Sequence, residues 1–310
     1  MANTTVAATP AHAAQRILAA CMVTWLACGA PCALAQNAAT RPAVRDFKLG
    51  ALEISVLLDQ SGAVANDGSV FGLDATPADV AGVLRKAGVA TGKIPLDDDA
   101  MLVRMPGHLV LIDTGNGPAG DGIMQQSLAL AHVSPGDITD ILITHSHPDH
   151  VGGLVDAQGH AAFPAATIRM SAAEWTFMQA NAGSKAVVRA IRPQVRTFEP
   201  GHAILPGITP RALPGHTPGQ VGYEIVSQGH TLMDVGDTVH SSIVSLARPD
   251  WTLGWDTDRK QGATTRIHEL RQLATTHELM FAPHFPFPGV GRIERSGDGF
   301  RFQPAVPSDQ

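Results

Sequence analysis

The sequence predicts an α/β fold in one domain, made of two packed halves. Three observations support this. Strand-length apolar runs come in pairs, alternate with helical segments, and do so twice along the chain. The length, 310 residues, suits one large domain. The polar residues able to do chemistry sit where apolar runs stop and Gly- or Pro-marked turns begin. In two packed halves such loops converge on one edge.

The elements follow in order. Leu52 to Leu58 and Ala100 to Met105 read as strands, and His108 to Ile112 is a third, set off by Pro106-Gly107. Between the first two, Thr76-Pro77-Ala78-Asp79 opens a helix to about Lys86, with Thr76 as N-cap and Pro77 at the first helical position. Asp121 to Ala131 is a second helix. Ile138 to Ile143 is a buried strand, and Val151-Gly152-Gly153 starts a short Gly-rich helix. Ser171-Ala172-Ala173-Glu174 is a capping box for a helix through about Ala180. Strands recur at Ile208 to Leu213, Val221 to Val226 and Thr231 to Val235. A long helix runs from about Lys260 to Thr276. Leu279 to Ala282 is a strand, and Gly291 to Phe302 forms a terminal hairpin.

The N-terminus stands apart. Arg16 is its only charged side chain before Arg41, Ile17 to Ala30 is mostly apolar, and Ala33-Leu34-Ala35 offers a cleavage site before Gln36. Residues 1–35 therefore read as a Sec-type signal peptide, 36–46 as a flexible leader and 47–310 as the folded domain. The apolar run is too short and interrupted for a membrane anchor. The expected location is periplasmic or secreted. All three cysteines, Cys21, Cys28 and Cys32, lie in the leading segment, so the exported chain has neither disulfides nor thiolate ligands. The net charge is −6, without Lys/Arg clusters, which argues against nucleic acid as a partner.

The strongest chemical signal is Thr144-His145-Ser146-His147-Pro148-Asp149-His150, where three imidazoles and a carboxylate fall within six residues. These are ligands of the kind zinc prefers, and such a loop is poor core material without a cation. His216, Asp237 and His284 each follow a further strand-like run. One zinc needs about four donors, so seven candidates suggest two cations and a bridging group.

This pattern, His145-x-His147-x-Asp149-His150 followed by His216, Asp237 and His284, resembles the metallo-β-lactamase-fold hydrolases. The resemblance implies an αββα sandwich with the metal site at one edge of the two sheets. It assigns His145, His147 and His216 to one cation and Asp149, His150 and His284 to the other. Asp237 bridges them together with a water or hydroxide. Asp113, in Leu111-Ile112-Asp113-Thr114-Gly115, matches a buried carboxylate that orients the first histidine cluster. Zinc suits these ligands, although cobalt and manganese fit them too. Asp149 and Asp237 are metal ligands first, and the pair is a candidate proton acceptor during attack.

His240 lies three residues after Asp237. Acyl-homoserine lactonases of this fold typically carry Tyr there, whereas the methyl parathion hydrolase-type subgroup carries Asp-x-x-His. His240 is accordingly a candidate catalytic residue, with a purely supporting hydrogen bond as the alternative. Ala247-Arg248-Pro249-Asp250, Trp255-Asp256-Thr257-Asp258 and His284-Phe285-Pro286-Phe287-Pro288-Gly289 resemble the same subgroup. The implied substrates are neutral lactones, aryl esters or organophosphate triesters, and the resemblance admits a homodimer. Phe71, Trp175, Phe177 and Phe285 are the candidate pocket residues, with core packing as their alternative. Other readings are an all-histidine metallo-β-lactamase, which usually lacks the bridging Asp, and a glyoxalase II-like thioesterase, which normally carries basic residues and an extra helical segment. A mononuclear iron dioxygenase can use a similar His-x-His signature. A non-catalytic metal-binding protein is the alternative from outside the enzymes.

Overall fold

Hydrophobic alternation on the strands builds two sheets with different faces. In the computed structural model, which describes residues 41–306, the first sheet has seven strands in sequence order. They are β1 (Val44–Leu49), β2 (Leu52–Ala65), β3 (Lys93–Met105), β4 (His108–Ile112), β5 (Asp140–Leu142), β6 (Thr167–Ser171) and β7 (Val195–Phe198). The second sheet follows, ordered from one edge as β13 (Gly299–Pro304), β12 (Val290–Ser296), β11 (Leu279–Phe281), β10 (His230–Asp234), β9 (Val221–Ser227) and β8 (Ile208–Ala212).

Alternate residues of one strand enter different cores, as the two-residue period of a strand requires. On β3, Met101 and Val103 face the second sheet, where they join Tyr223, Ile225, Leu232 and Phe281. Ala100 and Leu102 face outward, in a core with Leu128, Met178 and Ile191. Those three belong to α2 (Met124–Leu130), α4 (Ala172–Ala180) and α5 (Lys185–Ile191). On the outer face of the second sheet, Met233, Met280 and Ile293 pack with Leu246, Leu270 and Leu273. These come from α6 (Val244–Ala247) and α7 (Arg259–Thr276). The layers are thus helix, sheet, sheet, helix, the expected αββα sandwich. α1 (Pro77–Lys86) packs through Val80 and Leu84 on Phe71, Ile94 and Trp251 in a satellite core. Its N-terminus has the full Thr76/Asp79 capping box and Pro at the start.

The structure corrects several element boundaries. Val44 to Asp46, expected in the leader, pair with β2 as an edge strand. The signal segment and the rest of that leader up to residue 40 lie outside the described residues. β2 and β3 continue about one arm's length past the expected Leu58 and Ala100, through Ser61↔Asp97 to Ala65↔Lys93, beyond a register shift at Leu58/Gln60. The polar and glycine residues of that arm hide it from a hydrophobic pattern. The second helix starts late, at Met124, because Asp121 adopts a left-handed conformation. Short β6, β7, α5 and α6 carried too little periodicity to be recognised. Among the described residues, no helix is long and apolar enough to cross a membrane.

Candidate metal centre

Parallel strand pairs place the polar residues. β4 and β5 run parallel with Ile112 opposite Leu142, so Asp113 emerges beside the turn leading to Thr144. β10 and β11 run parallel with Asp234 opposite Phe281. Asp237 and His284, each three residues further on, therefore emerge side by side. The turn after β5 runs through His145 and His147 into α3 (Pro148–Val151), which carries Asp149 and His150. Gly153 lets this segment dock, because a Cβ there would collide with the carbonyl of Thr114. His216 follows β8. The edges of the two sheets meet where Thr144 O accepts from Val221 N, at 3.0 Å, and Ile143 O from the Tyr223 hydroxyl, at 2.8 Å.

All seven sequence-predicted ligands converge. His145, His147, His216 and Asp237 form one group, and Asp149, His150, Asp237 and His284 another, with the ligand atoms of each group within 4.8 Å of one another. Asp237 is common to both. Its Oδ2 lies 3.2 Å from His216 Nε2 and 3.1 Å from His284 Nε2, and its Oδ1 lies 3.1 Å from His150 Nε2. Asp149 Oδ2 lies 3.5 Å from both His150 Nε2 and His284 Nε2.

Four of the five ligand imidazoles are oriented through their other nitrogen. His150 Nδ1 is 2.8 Å from Asp113 Oδ2, and His216 Nδ1 is 3.1 Å from Asp256 Oδ1. His284 Nδ1 donates to Asp97 O at 2.9 Å and lies 3.1 Å from Asp98 Oδ1. His145 Nδ1 meets Thr144 Oγ1 at 3.1 Å, and that hydroxyl donates to Asp113 at 2.7 Å. With Nδ1–H donating, each Nε2 keeps its lone pair for a cation. His145, His150 and His216 Nε2 and Asp237 Oδ1 are buried without a hydrogen-bond partner among the described residues. Unpaired polar atoms at this density are costly. A cation between them removes that cost, so the donor set fits divalent metals of the zinc type.

The local electrostatics also call for positive charge. Burial alone would raise Asp237, but the surrounding imidazoles, His284 and His150 first, hold it well below the ordinary carboxylate range. Burial pulls His150 and His284 down, yet Asp237 and the neighbouring carboxylates outweigh it and hold both above the ordinary histidine value. Desolvation dominates at His147 and His240 and pushes each down to about 4.

His240 Nε2 sits 3.0 Å from Asp237 Oδ2, and its ring stacks on His284 at 5.3 Å. It is completely buried and is absent from the wall of the adjoining cavity. That cavity, about 550 Å³, opens onto His147, Asp149, His216, Asp237 and His284. Ala63, Val64 and Leu96 of the β2–β3 arm, with Trp255, give it an apolar wall. Gln60, Asp98 and Asn116 are its polar side. Among the described residues, no Lys or Arg lines it.

The four aromatic residues expected to line a pocket do not line this one. Phe71 is buried in the satellite core and meets Trp255 edge-on, with ring centroids 6.2 Å apart. Phe285 is buried beneath α7 against Phe302. Trp175 packs on the outer core of the first sheet under Arg192, and Phe177 is half-buried on the same α4. α4 turns Trp175 to the helix layer, so its ring is spent on packing. Trp255, 38% exposed, is the aromatic residue that faces the cavity.

The model of the metallo-beta-lactamase superfamily matches residues 95–283, more than half of the chain. The chain belongs to this superfamily. Within it, the chain is similar to the solved structure of AidC, a dizinc quorum-quenching lactonase in complex with a product, N-hexnoyl-L-homoserine. The identity is 30% over 86% of this chain and 99% of that one, with a TM-score of 0.82. It is also similar to the hydrolase AbOPH of the beta lactamase superfamily, at 27% identity over 87% of this chain and 100% of the other, with a TM-score of 0.79. A curated relative, ribonuclease Z of Methanothermobacter thermautotrophicus, is 40% identical over 55 residues, which are 18% of this chain and 16% of that protein. The chain spans about a sixth of the length of the curated relatives it matches. The candidate donor set thus sits in a superfamily fold whose solved relatives include a dizinc lactonase.

Three parts of the site were not recognised from sequence. Asp256 was visible only inside a subgroup motif, and its contact with His216 depends on the docking of α7. Asp97 and Asp98 sit on the arm of β3 that hydrophobic patterning missed. Glu174 read as half of a capping box. Ser171 Oγ does accept from Glu174 N, at 3.0 Å, but the carboxylate of Glu174 turns inward to the metal loops.

Proposed function

We propose that this chain is an exported two-metal hydrolase that opens lactones. Aryl esters and organophosphate triesters are the related substrates of the methyl parathion hydrolase-type, lactonase-like branch. The observation that carries the reading is that Asp237 belongs to both ligand groups at the floor of a cavity with no basic wall residue. A shared carboxylate is what two adjacent cations need, and a cavity without a cationic clamp favours neutral substrates over anionic ones.

Two divalent cations, zinc by choice of ligands, would supply an activated water and polarise the carbonyl oxygen. His145, His147 and His216 would hold one; Asp149, His150 and His284 the other; Asp237 would bridge. The protein does the rest. The apolar wall of Ala63, Val64, Leu96 and Trp255 receives the hydrocarbon part of the substrate and excludes water from it. Asp149, 29% exposed and facing the cavity, is placed to move protons. The water oxygen bonds to the carbonyl carbon, and one of its protons passes to Asp149. The ring C–O bond breaks, and Asp149 returns that proton to the departing alkoxide, giving a hydroxy acid. Asp237, nearly fully buried among five imidazoles, keeps a structural role in this step.

The test is elemental analysis of the purified protein together with dihydrocoumarin, paraoxon and nitrocefin assays on the same sample. Two zinc-like ions per chain with lactone turnover agree with the proposal. One iron per chain, or nitrocefin as the sole substrate cleaved, contradicts it. N-terminal sequencing of the exported protein tests cleavage near Ala35-Gln36.

A further inference from the structure

Glu174, at the start of α4, is fully buried and pairs with no Lys or Arg among the described residues. Both of its carboxylate oxygens are occupied. Oε1 accepts from the backbone N–H of Ser146 at 2.7 Å and from its hydroxyl at 2.6 Å. Oε2 accepts from the Thr217 hydroxyl at 2.6 Å. Ser146 lies between His145 and His147, and Thr217 follows His216. Every histidine of one ligand group therefore adjoins a residue held by this single carboxylate. The private ligands of the other group, Asp149, His150 and His284, have no such tie.

The docking of α4 is built for this contact. Ser171 Oγ donates to Gly219 O at 2.7 Å, and a Cβ on Gly219 would collide with the backbone N of Glu174. The turn carrying His216 thus lies directly against the N-terminus of α4. The two loops come from different sheets, and Glu174 joins them from beneath. A buried carboxylate with no cationic side chain as partner is costly by itself. Here three charge-assisted hydrogen bonds stabilise it, and a cation bound above the loops would add to them.

We infer that Glu174 is a positioning residue, a clamp that sets the spacing between the His145/His147 turn and the His216 turn and so tunes the affinity of that one metal position. The inference rests on the two-cation reading above. Removal of an outer partner of a metal ligand typically weakens binding 10- to 100-fold. Loss of the clamp should do so at one position and leave the other nearly unchanged.

The experiment is zinc release from the fully loaded protein into a competing chelator, with cobalt-substituted protein followed by absorption as a second readout. Glu174→Gln should release one equivalent at about 10- to 100-fold lower chelator concentration while the second follows the wild-type curve. Thr217→Val removes one strand of the clamp while keeping the shape of the side chain, and should show a smaller shift in the same equivalent. Thr217→Ser keeps the hydroxyl and should restore the wild-type curve. If Glu174→Gln does not fold, the Thr217 pair decides. Unchanged release from Thr217→Val, or equal weakening of both equivalents, would overturn the clamp. Wild-type protein that binds two zinc ions without hydrolysing lactones would sink the substrate reading and leave the clamp testable. Wild-type protein that binds one zinc would overturn both the two-cation reading and the selective effect.

Discussion

At the scale of single residues, the site depends on partners one step removed from the cavity. Asp256 holds His216 Nδ1, while its other oxygen lies 3.7 Å from the buried guanidinium of Arg266. Asp256→Asn keeps the shape but alters which hydrogen-bond partners are available, and metal affinity should fall about 10- to 100-fold in a chelator competition. His240 offers a different test. It touches Asp237 but not the cavity, so His240→Gln should lower kcat about 10-fold, comparable to the loss of other metal-supporting partners. KM should stay unchanged, and a rise in KM alone would place His240 against the substrate. The sequence made the ligands legible because they crowd the turns, and the one short helix, that follow apolar strands, where histidine and aspartate have few other uses. It could not make the cavity aromatics legible. Trp175 and Trp255 differ not in chemistry but in which face of their element meets solvent, and that depends on packing between remote segments.

At the scale of elements, close backbone approach decides where the histidine turn sits. Gly153 lies against the carbonyl of Thr114 in the segment that follows α3. Gly153→Ala should cost about 1–3 kcal/mol, the usual range for overpacking, read as a lower denaturant midpoint. An unchanged midpoint would mean that the two segments separate at no cost. Most elements were visible from their own pattern. The helix over Pro77–Lys86 announced itself through Thr76, Pro77 and Asp79, and α7 through its length. β6 and β7 were not, because Thr167–Ser171 and Val195–Phe198 are too short for alternation to stand out and are completed by parallel neighbours. The β2–β3 arm was missed for another reason. Its residues serve the cavity, so they do not repeat the apolar alternation of the core.

At the scale of the whole molecule, the cation requirement couples stability to metal and to pH. Ligand at about a thousand times its Kd stabilises by about 4 kcal/mol, so chelation should lower the unfolding temperature by about 10 °C for a domain of this size. In the metal-free protein, His150 and His284 are raised above their ordinary value near 6.5. Their contribution is complete below that value and is lost as pH climbs through the raised ones. His147 and His240 are lowered to about 4, so their contribution is complete above 6.5 and is lost as pH falls toward 4. Stability of the chelated protein should peak near the ordinary histidine range and decline on both sides. Thermal unfolding between pH 4 and 9 checks this, and a flat profile would refute it. With zinc bound, the alkaline limb should disappear.

The chain passes from the first sheet to the second once, between Phe198 and Ile208. His145, His147, Asp149 and His150 lie before that passage; His216, Asp237 and His284 lie after it. Severed there, the molecule becomes two fragments, neither with a full set of donors. Zinc would then act as the reagent that reunites them, and recovered turnover from mixed fragments would report metal concentration directly.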